Sequence, residues 1–192
     1  GNNPVGAVFD RVADDYDHVG VPWFTPIAEH LIRELAPQPG QRMLDIGTGR
    51  GAALWPLAAA VGGTGSVTAI DISERMVAAT TQEAAERALA HVTIAIGDAQ
   101  RPALAAESFD AIASSLVLFF IPDPAAALSA WIDLLVPGGH LGISTFGPRS
   151  AGWVRLDDVF SPYLSPGLID ARTAGIRGPF ASDAGVEGLL RD

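Results

Sequence analysis

The most informative stretch of the sequence is MLDIGTGRGAALWPLA, which spans residues 43–58. Within it, Gly47, Gly49 and Gly51 follow an apolar run that carries a single carboxylate, Asp45. This pattern is typical of a strand that passes through a glycine-rich loop into a helix. Loops of this kind usually hold a nucleotide, because glycine lets the backbone approach a ligand closely. The stretch therefore predicts a nucleotide-binding strand–loop–helix unit.

The composition indicates one globular domain and excludes several kinds of site. Of the 192 residues, 48% are hydrophobic and 18% are charged, which is enough apolar material for a core. The chain has no cysteine and no lysine, which excludes disulfides, thiolate catalysis, cysteine-based zinc sites and Schiff-base lysines. No two histidines have metal-ligand spacing, so we expect no metal.

The net charge and the length of the apolar runs limit the kinds of molecule that the protein is expected to bind. The formal net charge is -10, which argues against nucleic acid, because such binding depends on Lys and Arg at phosphates. The N-terminal segment lacks the basic and apolar regions of a signal peptide. The longest apolar run, residues 116–121, is too short to span a bilayer. We expect a cytoplasmic protein with a small-molecule partner and neither nucleic acid nor membrane.

Strand and helix patterns alternate along the chain, which predicts a mainly parallel sheet with helices on both faces. The predicted strands cover residues 42–46, 67–70, 92–96, 109–114 and 141–145. Predicted helices cover 25–35, a stretch from near 51 to 61, 73–89, 123–136 and 182–191. Predicted helix starts are Thr25 with Pro26, Ser73, and Asp123 with Pro124. The segments GGTG (62–65) and PGG (137–139) are predicted to end helices.

Two kinds of nucleotide fit the glycine loop. GTGRGA matches the dinucleotide pattern G-x-G-x-x-A, and Asp71 follows at a distance where a carboxylate can accept both ribose hydroxyls. An NAD(P)-dependent oxidoreductase is therefore an alternative. Asp45 favours a ligand that carries an ammonium and a sulfonium, and Asp98 could accept a hydrogen bond from an adenine amino group. We also expect no second domain of the kind that a nicotinamide dehydrogenase usually needs for its substrate.

Four motifs extend this pattern: MLDIGTGRG, AIDISERM, AIGDA and LVPGGHLGIST. Their order and spacing resemble the class I S-adenosylmethionine-dependent methyltransferases, and FDRVADDYD (9–17) resembles the opening of their ubiquinone/menaquinone-biosynthesis-like branch. The resemblance covers roughly residues 9–146. It implies an α/β fold, a three-layer Rossmann-like doubly wound sheet of order 3-2-1-4-5-7-6. The last two strands are not among these 192 residues, so we expect the natural protein to be longer.

The same resemblance implies three regions along the chain. Residues 1–40 would form an N-terminal helical cap and residues 41–146 the cofactor-binding core. Residues 147–192 would form an irregular region on the substrate side, incomplete at its C-terminal end.

The resemblance also implies a site for S-adenosylmethionine. Asp45 would bind the methionine ammonium, Asp71 the ribose hydroxyls, and Asp98 the adenine edge. Further implied cofactor contacts are the loop residues Gly47, Thr48, Gly49 and Gly51, the adenine contacts Ile72, Met76 and Ala99, and Gly97, Tyr16 and Ser114. Arg50 stands where the family commonly has a small residue. The sequence leaves open whether the Arg50 side chain reaches solvent or pairs with a carboxylate.

The sequence defines the binding site of the methyl acceptor less well than that of the cofactor. Candidate acceptor contacts are the aromatic residues Trp23, Phe24, Phe119 and Phe120, and we expect one of the last two to be core. His18 and Tyr16 are the candidates for a catalytic role, and no convincing base is evident. We expect methyl transfer to an oxygen, nitrogen or carbon of a small, partly apolar molecule. A related protein that binds the cofactor without methyl transfer is the second alternative.

Overall fold

The computed structural model describes residues 4–13, 23–147 and 177–191, with residues 152, 154, 155, 159 and 162 between them. The chain divides into two compact units, Gly1–Ser144 and Thr145–Asp192, which are described separately. The predicted division at residues 40 and 146 stays a prediction.

The first unit is built on a five-stranded parallel sheet. Its strands are β1 (Arg42–Ile46), β2 (Ser66–Asp71), β3 (Val92–Ile96), β4 (Phe109–Ser115) and β5 (Leu135–Ser144). Their spatial order is β3-β2-β1-β4-β5, which confirms the predicted order of the first five strands. The order reverses between β1 and β4, and ligands of such sheets bind beyond the carboxyl ends of the strands at that point.

Helices cover both faces of this sheet. They are α1 (Pro4–Val12), α2 (Phe24–Leu35), α3 (Leu54–Val61), α4 (Glu74–Glu86) and α5 (Pro124–Ile132). The buried face of α2, with Leu31 and Ile32, joins α3 and the central strands in one hydrophobic cluster. α4 packs on β2 and β3. No helix within the described ranges has the length and apolar character needed to cross a membrane.

The predicted caps hold at two helices of this unit and fail at one. The Ser73 hydroxyl accepts the Met76 N–H at the start of α4, and the Asp123 carboxylate accepts the Ala126 N–H at the start of α5. α2 instead begins at Phe24 without a side-chain cap, so the prediction that Thr25 caps it was wrong. The chain enters α2 from Trp23 already in helical conformation, which leaves Thr25 inside the first turn.

Two further boundaries differ from the prediction for backbone reasons. α3 begins at Leu54 rather than near Gly51, because Gly51 has a φ of 86° that no right-handed helix can include. α5 ends at Ile132, and β5 begins at Leu135, so the PGG segment lies inside the strand instead of ending the helix.

The PGG segment forms an irregularity at the start of β5. Phe109 pairs with Leu135 while Ala111 pairs with His140, so β5 carries extra residues opposite β4. Gly138 has a φ of 83°, and the bulge accommodates Pro137, which has no N–H to donate to a ladder.

In the second unit, a short 3₁₀ helix, Gly178–Ala181, leads into α6 (Asp183–Leu189). The Ser182 hydroxyl accepts the Gly185 N–H and caps α6. The predicted helix over residues 182–191 is therefore present in shorter form.

Candidate active site

Two adjoining cavities lie where the carboxyl ends of the strands meet. The Asp45 cavity has a volume of about 230 Å³ and the Asp71 cavity about 170 Å³. Both are lined by Phe24, Gly47, Gly49 and Ser115. The glycine-rich loop after β1 thus forms the boundary between two halves of one cleft, with a carboxylate in each half.

The glycine-rich loop, residues 47–51, is fixed from behind by hydrogen bonds. The N–H groups of Gly47 and Thr48 donate to the Ile70 carbonyl at 2.8 and 3.0 Å. The Gly49 N–H donates to Asp71 Oδ2 at 2.8 Å. The buried Thr80 hydroxyl of α4 donates to the Gly49 carbonyl at 2.7 Å. The loop is therefore held in one shape before any ligand arrives, which lowers the entropy cost of binding.

The loop glycines are required by their protein neighbours as well as by a ligand. Gly47 has a φ of 75°, and a Cβ there would overlap the Val117 side chain. A Cβ on Gly51 would lie 2.5 Å from the Trp55 ring. We expected these glycines to leave room for the cofactor, and the structure adds that they leave room for Val117 and Trp55.

Asp45 and Thr48 carry unsatisfied polar atoms at the Asp45 cavity, which both residues line. Asp45 is only 1% exposed. Its Oδ2 atom and Thr48 Oγ1 are buried and have no hydrogen-bond partner among the described residues. A buried acceptor without a donor is costly, and an ammonium group would supply both charge and N–H donors. The pair therefore fits the methionine ammonium that the sequence assigns to Asp45.

Burial also changes the acidity of this carboxyl. It raises the pKa of Asp45 from 3.8 to about 7; the Thr48 hydroxyl opposes the shift without reaching hydrogen-bond geometry, and the Asp71 charge adds to it. Because the folded pKa is the higher one, Asp45 favours the fold most at low pH. That contribution is fully present below about pH 3.8 and is lost as pH rises from there through about 7.

Cofactor binding is expected to release a proton from Asp45. At about pH 6 the free protein holds this carboxyl mostly protonated, whereas a bound ammonium favours the carboxylate. Titration calorimetry in buffers of different ionisation enthalpy should therefore measure release of nearly one proton per S-adenosylmethionine. Asp45→Asn is the control and should bind more weakly without proton release. Equal release by both proteins would contradict this role for Asp45.

Asp71 ties the loop to the start of α4. Its Oδ2 accepts the Gly49 N–H, and its Oδ1 accepts the Ser73 N–H at 2.9 Å. Burial raises the pKa of Asp71, and hydrogen bonds from the backbone N–H groups of Ser73 and Gly49 oppose that shift. A carboxylate oxygen can accept more than one hydrogen bond, so Asp71, which lines its cavity, keeps acceptor capacity for ribose hydroxyls.

The Asp71 cavity is lined by five further residues that the resemblance assigns to the cofactor: Ile72, Met76, Gly97, Asp98 and Ala99. The exposed Asp98 carboxylate accepts the Gln100 N–H at 2.9 Å, and the Ala99 carbonyl accepts Trp131 Nε1–H at 2.7 Å. These bonds fix the turn after β3, so Asp98 is a turn residue and a cavity residue at once.

The aromatic candidates separate into wall and core. Phe24 lines both cavities, and Phe120 lines the Asp71 cavity, where its ring meets Phe9 edge-on at 5.6 Å. Phe119 is buried and lines neither cavity, which makes it the core member of the pair. Trp23 is 55% exposed and lines neither cavity, so its expected acceptor contact finds no support.

Ser114 differs from its predicted role. It is fully buried, its hydroxyl donates to the Ile46 carbonyl at 3.1 Å, and it lines neither cavity. Its neighbour Ser115 lines both cavities, although no motif in the sequence distinguishes it from Ser114. The candidate residues Tyr16 and His18 lie outside the described residues.

Arg50 pairs with a carboxylate, which resolves the alternative left open by the sequence. Its guanidinium lies 3.6 Å from Glu83 of α4. Glu83 also binds Arg87 at 2.6 Å, and the Arg87 guanidinium stacks on Trp55 at 4.5 Å. The Arg50–Glu83 and Trp55–Arg87 contacts join residues far apart in the sequence, because the packing of α4 beside the loop brings them together.

Comparison with known proteins identifies the family. The model of the methyltransferase domain matches residues 44–143. Nocamycin O-methyltransferase from Saccharothrix syringae is 45% identical over 96% of this chain and 69% of that protein. Aklanonic acid methyltransferase DauC from Streptomyces sp. (strain C5) is 36% identical over 86% of this chain and 76% of that protein.

A solved structure, a SAM-dependent methyltransferase from Aquifex aeolicus, shares the fold. Its TM-score is 0.61 at 21% identity, over 78% of this chain and 86% of that chain. The oxidoreductase alternative finds no support in these comparisons, whereas family, relatives and cleft agree on the cofactor. The chain therefore belongs to the methyltransferase-domain family and is an S-adenosylmethionine-dependent small-molecule methyltransferase.

Proposed function

We propose that this enzyme methylates an oxygen atom of a small, partly apolar acid, either a carboxylic acid or an acidic enol. Such an acceptor is already ionised near neutral pH, so its own oxyanion is the nucleophile and no protein base is needed.

The observation that carries this proposal is the chemistry of the cleft walls. On the acceptor side the Asp71 cavity is lined by apolar residues, among them Phe9, Val117, Phe120 and Ile121. No histidine, tyrosine or lysine of the described residues lines either cavity. Of the four carboxylates that line the cavities, Asp45, Asp71 and Asp98 are assigned to the cofactor, and Glu83 is paired with Arg87. A base for a weakly acidic acceptor is therefore not supplied by these walls.

The same walls suit an anionic oxygen that meets a cation. When bound, S-adenosylmethionine supplies an electrophilic methyl group on a positively charged sulfur. Aromatic walls lower the local dielectric constant, which strengthens attraction between opposite charges. Holding the acceptor oxygen in line supplies about 7–11 kcal/mol in well-oriented systems. The names of the two relatives, an O-methyltransferase and an acid methyltransferase, support oxygen as the acceptor atom.

A labelled-methyl assay with matched acceptors tests the proposal. The panel contains polycyclic carboxylic acids and enols, the preformed methyl ester of each acid, and the corresponding amines. We expect label on the acids or enols and not on the esters. A methyl ester would release labelled methanol in alkali and a methyl enol ether would release it in acid, whereas an N-methyl or C-methyl product would release it in neither. Label confined to nitrogen or carbon would contradict the proposal.

A further inference from the structure

We infer that Arg50 binds the carboxylate of the methionine tail of S-adenosylmethionine, after its side chain leaves Glu83. This inference rests on the cofactor and not on the acceptor, so its success or failure is independent of the proposed methylation of an acid.

Arg50 stands where that carboxylate would lie. It belongs to the glycine-rich loop and lines the Asp45 cavity together with Asp45 and Thr48. It also lines a shallow outer groove with Gln82 and Glu86. Its side chain, 28% exposed, can therefore face the cavity or the groove without a change in the loop backbone.

The charges of the Asp45 cavity call for a cation beside the ligand's carboxylate. Asp45 attracts the ammonium of the methionine tail, but the same negative charge repels the carboxylate one carbon away. Arg50 is the one basic side chain among the described residues that line either cavity. A guanidinium matches a carboxylate with two parallel N–H donors.

The present partner of Arg50 holds it weakly. The 3.6 Å separation between Arg50 Nη2 and Glu83 Oε2 is too long for a hydrogen bond. Glu83 is already bound by Arg87, whose Nε and Nη2 donate to Glu83 Oε1 at 3.1 and 2.6 Å. Departure of Arg50 therefore leaves Glu83 paired.

The backbone at Arg50 stays fixed while the side chain moves. The Arg50 carbonyl accepts Trp55 Nε1–H at 3.2 Å, and the adjacent Gly49 carbonyl accepts the Thr80 hydroxyl. The proposed change is a rotation of the side chain alone, which makes Arg50 a cofactor-binding residue rather than part of a moving loop.

A comparison of two ligands tests this role by titration calorimetry. Decarboxylated S-adenosylmethionine keeps the sulfonium, ammonium and adenosine and lacks only the carboxylate. Arg50→Gln should weaken binding of S-adenosylmethionine by about tenfold or more, the effect of losing a hydrogen bond to a charged group. Binding of the decarboxylated ligand should stay within about twofold of the unmodified protein.

Arg42→Gln is the matched control, because it removes another arginine that pairs with a carboxylate, Asp110, but lines neither cavity. It should change neither affinity. Equal weakening of both ligands by Arg50→Gln would overturn the inference and make Arg50 a support of the loop. No weakening of either would overturn it as well. If Arg50→Gln does not fold, Arg50→Lys, with one point charge, should lose part of the preference for the carboxylated ligand; an unchanged preference overturns the inference.

Discussion

Replacing Asp71 with alanine is expected to weaken binding of S-adenosylmethionine by at least about 100-fold. The assigned ribose contacts are hydrogen bonds to a charged acceptor, each worth about 1.5–3 kcal/mol. The substitution also removes the acceptor of the Gly49 N–H, which holds the glycine-rich loop on β2. Ligand contact and loop support would therefore be lost together.

Titration calorimetry measures this loss, and a second variant separates its two causes. Asp71→Asn keeps one acceptor oxygen, so we expect a smaller loss of affinity than in Asp71→Ala. Thermal unfolding of each variant reports the loss of support for Gly49 and Ser73, whose N–H groups are left without that acceptor.

Asp110→Ala is the matched control. The Asp110 carboxylate also links two strands, because its Oδ1 accepts a hydrogen bond from Arg42 Nη2 of β1 at 2.9 Å. It lies at the start of β4, at the opposite edge of the parallel sheet from the cleft. Cofactor affinity should be unchanged in this variant. If Asp71→Ala bound the cofactor as tightly as Asp110→Ala, the ribose role of Asp71 would be refuted.

The sheet was predictable from the sequence because its signals are local. Short apolar runs mark β1 and β4, and capping residues such as Ser73 and Asp123 mark the helices between strands. The strand order came from the motif resemblance, and the carboxylates followed because parallel strands end at one edge of the sheet. Asp45 and Asp71 are thus the part of the site that sequence positions well.

The remaining differences arise from backbone conformations that carry no local signal. Leu116 has a φ of 59°, which a leucine rarely adopts and which costs about 1–3 kcal/mol. β4 therefore turns sharply just after Ser115, and Ser115 rather than Ser114 lines the cavities. The bulge at PGG is similar, because proline and two glycines indicate a helix end as readily as an irregular strand.

Contacts between residues that lie far apart in the chain could not be predicted from the sequence either. The hydroxyl of Thr80 supports Gly49 from another element. Asp10 of α1 accepts the Ser73 hydroxyl at 2.5 Å and so joins the N-terminal helix to the start of α4. Neither contact can be predicted from the spacing of residues in the sequence, because both depend on how the helices pack.

Gly47→Ala is expected to destabilise the protein by about 2–5 kcal/mol and to disrupt cofactor binding. Two costs combine here. An alanine at a φ of 75° adopts a left-handed conformation that costs about 1–2 kcal/mol. Its Cβ would also overlap Val117 and lie 2.9 Å from Val117 Cγ1, and overpacking of this kind costs about 1–3 kcal/mol. Denaturant unfolding measures the sum.

Gly40→Ala separates the two costs, because Gly40 has a φ of 86° but its nearest neighbour to a new Cβ is Thr64 Oγ1 at 3.8 Å. This control should show the conformational cost alone. The double variant Gly47→Ala/Val117→Ala should recover part of the difference, since it removes the two methyl groups that a new Cβ meets. Equal stability of the Gly47 and Gly40 variants would refute the overlap. Because Gly47 and Val117 both line the Asp71 cavity, recovery of stability should bring cofactor binding back with it: the close packing of the β1 loop on the segment after β4 is what shapes the cleft.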